Sequence, residues 1–86
     1  MNFYLLRPHM SEEIESIVSE FYGESMEMVQ SVQIHQDRNL IHLEVQETQK
    51  GIGKLIGRKG ATINALTAKV NEKTGIKWKL VLKKIQ

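Results

Sequence analysis

The chain contains no cysteine. Disulfides and zinc-finger spacings are therefore excluded. Proline occurs once, at Pro8, where it would end any strand formed by Asn2-Phe3-Tyr4-Leu5-Leu6. Aromatic residues are 6% of the chain, which leaves few rings for stacking on a ligand. No apolar run approaches the roughly 20 residues of a membrane-spanning helix. The first residues also lack the charged-then-apolar order of a signal peptide. A cytoplasmic location is the expectation, with no membrane partner.

What is present suits one small globular domain: 86 residues, 41% hydrophobic and 26% charged. Residues 1–10 form an N-terminal segment of no assigned role, readable as a strand, a loose terminus or a leader. The domain proper is expected over residues 11–86. Net charge is only +2, but it is unevenly divided. Residues 1–46 carry a net −6 and residues 47–86 a net +8. A basic half of this kind suggests a polyanionic partner, although a segregated surface without any ligand would look the same.

Hydrophobic spacing sets the element order. Ile14, Ile17, Val18 and Phe21 form one stripe of a helix over Glu12–Tyr22, with Ser11 as cap and Gly23 as stop. Two strands follow, Met28–Gln36 and Leu40–Gln46, about the turn Asp37-Arg38-Asn39. Val32, Ile34, Ile41, Leu43 and Val45 point to the core at period two, leaving His35 and His42 on the solvated face. Two surface histidines without a third ligand do not make a metal site. A short helix is expected within Thr48–Ile56, its apolar positions Ile52, Leu55 and Ile56. Gly51 and Gly53 are costly there, so either backbone packs closely at them or the helix begins late. A further helix spans Ala61–Glu72, with Ile63, Leu66, Thr67 and Val70 inward. The last strand, Ile76–Leu82, turns Ile76, Trp78, Leu80 and Leu82 inward and Lys77, Lys79 and Lys83 outward. Trp78 is read as core rather than as a stacking platform. The long helical crossover makes the second and third strands parallel and the connection right-handed if they are neighbours.

Gly57-Arg58-Lys59-Gly60 joins the two later helices. Glycines three apart permit a tight bend that approaches a partner closely. Both residues between them are cationic. The amides of the next helix, from Ala61-Thr62-Ile63, and its dipole point toward the same place. A glycine turn, two cations and a helix start suit a phosphate backbone.

The run from Ile56 to Leu66, with G-x-x-G between an aliphatic residue and a helix bearing Ile63 and Leu66, resembles the signature of a KH domain. The element order resembles the bacterial, type II form, and Lys73-Thr74-Gly75-Ile76-Lys77-Trp78 is similar to the close of NusA-type KH domains. Small single-KH RNA-binding proteins and the KH module of Jag-type proteins are similar too. The resemblance spans roughly Ser11–Leu82. It implies an α+β fold ordered α-β-β-α-α-β, with three strands in a mixed sheet and helices on one face. It also implies a cleft for about four nucleotides of single-stranded RNA, or of single-stranded DNA. Gly57 and Gly60 would admit the backbone, and Arg58 and Lys59, with Lys54 nearby, would meet phosphates. Ile56 and Ile63 would floor the cleft and the amides of Ala61-Thr62-Ile63 would donate. Lys73, Lys77 and Lys79 would support the far wall. A role in transcription or translation regulation follows from the same resemblance. One four-nucleotide cleft with few aromatics for stacking predicts micromolar or weaker binding, which a second RNA-binding module or protein partner would strengthen.

An enzyme is not expected. Gly51-Ile52-Gly53 does not extend to G-x-G-x-x-G, no P-loop is present, and no nucleophile–base pair stands out. No cofactor or metal is implied. The rival reading is a KH-fold protein-interaction module without nucleic acid, its acidic first helix meeting a basic partner. Cations at both variable loop positions argue against it.

Overall fold

The computed structural model describes residues 10–86. The expected strand at Asn2–Leu6 lies outside them. Helix α1 runs Met10–Tyr22, strand β1 Ser31–His35, β2 Leu40–Gln46, helix α2 Gly53–Ile56, α3 Ala61–Thr74 and strand β3 Lys79–Ile85. The order is α-β-β-α-α-β, and the sheet order is β1-β2-β3. β1 pairs antiparallel with β2, and β2 pairs parallel with β3. This is the type II KH arrangement, with the helices on one face of a mixed sheet.

Alternation along the central strand carries the core. Ile41, Leu43 and Val45 are fully buried, and so are Ile14 and Val18 of α1, Leu55 of α2, and Leu66 and Val70 of α3. Met10 is buried and opens α1, so the helix starts before Glu12 and Ser11 lies inside it rather than capping it. At the other end Tyr22 is buried while Phe21 is only partly so. Gly23 takes a left-handed φ of 59° and ends the α-helix, but a 3-10 segment carries the chain on to Met28. β1 therefore begins at Ser31, later than the expected Met28.

The helix foreseen within Thr48–Ile56 is reduced to Gly53–Ile56. Gly51 has φ of +82°, which a helix excludes, and a side chain at Gly51 or Gly53 would meet no tight contact. A late start, not close packing, explains these glycines. α3 extends to Thr74 instead of Glu72.

β3 is displaced by three residues from the expected Ile76 start. The peptides before it are satisfied by side chains of α3, and ladder pairing begins where β2 does, with Leu40 opposite Lys79. Asn71 Oδ1 accepts from the Trp78 amide at 2.7 Å, and Thr74 Oγ1 accepts from the Ile76 amide at 3.3 Å. Inward and outward parity survives the shift: Trp78 is 3% exposed and Leu80 is buried, while Lys77, Lys79 and Lys83 are exposed.

Candidate nucleic-acid interface

α2 has only four residues, so nearly all its carbonyls lack partners within the helix. One is satisfied from afar: Tyr22 Oη donates to the Leu55 carbonyl at 2.8 Å inside the protein. Burial pushes the Tyr22 phenol up to about 12 from its ordinary 10. This bond ties the end of α1 to the residue two places before Gly57. Its sequence signal was an aromatic at the end of the α1 stripe, where Phe21 looked the better inward candidate.

The bend itself is built on left-handed backbone. Gly57 has φ 80° and ψ 168°, Lys59 φ 55° and ψ 28°, and Gly60 φ 78° and ψ 13°. A Cβ on Gly57 would stand 2.6 Å from the Thr62 amide nitrogen and 2.7 Å from Thr62 Cβ. Both contacts are far inside van der Waals reach, so only glycine fits. Thr62 is thus the residue against which the bend closes. Gly60 needs glycine for its φ alone, since its nearest neighbour would be Asn64 Nδ2 at 3.5 Å. The Gly57 amide donates to the Gly53 carbonyl at 2.8 Å, and the Gly60 amide to the Gly57 carbonyl at 3.1 Å.

These turns thrust Arg58 and Lys59 outward, both exposed. Among the described residues neither side chain is engaged in an ion pair or hydrogen bond. Ile56 and Ile63, on either side of the bend, are half-buried, as an apolar floor open to solvent would be. Lys54 is exposed one turn before Gly57 and lines a shallow depression with Glu24, Glu27 and Lys50. Gly60 caps α3 without a side-chain hydrogen bond, and the Ala61 amide is occupied by the Arg58 carbonyl. Any donors to a ligand in that first turn would come from residues after Ala61.

The three candidate lysines of the far wall sit on other elements. Lys73 sits in the last turn of α3, about 18 Å along the helix axis from Ala61. There it lines a depression with Glu13, Ser16, Glu20 and Lys69. Lys77 is exposed in the α3–β3 connection, whose peptides Asn71 and Thr74 hold in place. Lys79 lies on the face of the sheet opposite the helices, since its neighbour Leu80 points into the core. Asn71, helical as expected, accepts from the Trp78 amide and donates to the Trp78 carbonyl, a role the sequence did not signal.

Residues 7–80 match the family described as the NusA-like first KH domain. That is most of the chain, and the fold agrees element by element. The chain is a KH domain of the NusA type. Nucleic-acid binding is therefore the general function of its family, and KH domains are binding modules rather than enzymes. No curated protein matches this KH domain. Among the described residues there is no cluster of three metal-ligating side chains, and no helix is long and apolar enough to cross a membrane.

Proposed function

We propose that this KH domain binds single-stranded RNA and clamps its phosphate backbone at Gly57–Gly60. The observation that carries the reading is the bend: glycine is obligatory at Gly57, and the same turn presents two unengaged cations to solvent. A strand lying over Gly57 and Gly60 meets no Cβ, so phosphates come within reach of Arg58 and Lys59. Bases then lie along Ile56 and Ile63. Lys54 adds charge on the approach, and Lys77 stands toward the α3–β3 side. Lys73 stands at the far end of α3 and Lys79 on the open face of the sheet, so either would meet the strand only at an end remote from the bend.

The test is the double substitution Arg58→Asp, Lys59→Asp, with folding checked by circular dichroism and binding read by fluorescence anisotropy on a short oligouridine. Reversing two phosphate-contacting charges should weaken binding by tenfold or more and flatten its salt dependence. Unchanged affinity in a folded variant rejects the clamp. Comparing the same oligomer as RNA and DNA decides whether a 2′-hydroxyl is read.

A further inference from the structure

The sheet has a second charged surface that the bend does not use. Alternation turns His42, Glu44 and Gln46 of β2, and Lys79, Val81 and Lys83 of β3, away from the helices. Ser31, Gln33 and His35 of β1 share that face. The pairing aligns Gln33, His42 and Val81 in one row, and Ser31, Glu44 and Lys83 in the next. His35 and His42 are diagonal neighbours, their ring centroids 4.9 Å apart in an edge-to-face contact. Arg38, in the β1–β2 turn, is close enough to act on His42. The face thus gathers Arg38, Lys79, Lys83 and two imidazoles around the Glu44 carboxylate, with Asp37 beside Arg38 in the turn. That carboxylate already accepts a hydrogen bond from Ser31 Oγ at 2.6 Å. Leu40 and Val81 lie half-exposed among them. An excess of positive charge, partly exposed apolar surface and two imidazole rings together suit a strand bearing phosphates and bases.

We propose that this open face of the sheet is a second contact surface for the single-stranded nucleic acid, with Lys79, Lys83 and Arg38 meeting phosphates and His35 and His42 acting as proton-dependent cations. The proposal rests on the nucleic-acid reading of the loop and extends it to strands longer than the loop site of about four nucleotides. Its pH behaviour follows from the neighbours. Partial burial, His35, Lys83 and Arg38, in that order, hold the His42 imidazole below its ordinary range, and Glu44 opposes them. A phosphate placed there offsets the three cationic neighbours, so binding takes up a proton and tightens as pH falls through the histidine range.

The experiment follows the His35 and His42 imidazole resonances by NMR across the acid range. It uses the full chain, alone and with an oligouridine of about twelve nucleotides, three times the loop site, and a chelator excludes metal bridging. The expected result is an upward shift of both titrations when the oligomer is present. Anisotropy should show about tenfold tighter binding near pH 5.5 than near pH 7.5, and the gain should vanish in His35→Gln, His42→Gln. A four-nucleotide oligomer, filling only the loop, should show no such gain. Titrations unmoved by the long oligomer overturn the proposal. The Arg58→Asp, Lys59→Asp variant separates the two sites. If it still binds the long oligomer with shifted histidines, the open face stands and the loop reading fails. If it loses binding and the wild-type histidines never shift, the loop stands and the face fails.

Discussion

Lys59 occupies a left-handed conformation that glycine adopts freely and other residues only with strain. Its side chain is exposed, so packing does not hold it there. Replacing it with glycine should therefore leave stability within about 1 kcal/mol, relief of strain offsetting the entropy glycine loses on folding, while weakening nucleic-acid binding. Chemical denaturation beside anisotropy would separate the two effects. Gly57 behaves in the opposite way. Gly57→Ala adds a Cβ against Thr62 at a φ of 80° and should cost about 2 kcal/mol or more, because backbone must move. Gly60→Ala meets no close neighbour and should cost less. Equal losses at the two glycines would show that Thr62 does not close the bend.

At the scale of elements, two long-range ties position what the short helices cannot. Tyr22 holds α2 through the Leu55 carbonyl. Tyr22→Phe should cost about 1 kcal/mol and leave that carbonyl unpaired. It should also change the alkaline response. The folded state keeps the phenol proton more tightly than the unfolded chain, so the stability from this group is complete below pH 10. That stability is lost as pH rises from about 10 through about 12. Denaturation midpoints measured across that range should fall more steeply in the wild type than in the Phe variant. The second tie is Asn71, whose amide grips the Trp78 peptide from both sides. Asn71→Ala should destabilise by about 1–2 kcal/mol by freeing that peptide. Trp78 also buries an indole N–H that has no acceptor among the described residues. Trp78→Phe, which removes that donor and keeps a ring, should be much milder than Trp78→Ala, expected to cost about 3–5 kcal/mol.

For the whole molecule the dominant feature is charge segregation. The acidic residues concentrate on α1 and the 3-10 segment after it, and the cations on the bend, α3 and β3. The two sets meet where Lys69 and Lys73 stand beside Glu13 and Glu20 and where Lys50 and Lys54 stand beside Glu24 and Glu27. The cations remote from α1, on the bend and β3, are therefore the ones left to attract a polyanion. With two loop cations on phosphates, the logarithm of the affinity should fall with the logarithm of salt at a slope of roughly −1 to −2. Engagement of the open sheet face by a longer oligomer at acid pH should steepen it. A slope near zero for every length would mean that phosphate contacts do not drive binding.

Period-two and helical spacing along the chain were enough to define the sheet face, the helix order and the core strand Ile41-Leu43-Val45. These are local regularities that burial then reinforces. The G-x-x-G bend was equally legible, because its requirement for glycine and its cations are both written in consecutive residues. Only the tertiary structure decided where α2 and β3 begin. Those limits depend on Gly51 lying outside the helix and on Asn71 and Thr74 capturing peptides that would otherwise join a strand. It alone showed that Lys73 lies at the far end of α3 and that Lys79 lies on the face of the sheet turned away from the helices. It alone paired His35 with His42, whose meeting depends on strand register rather than on distance along the chain.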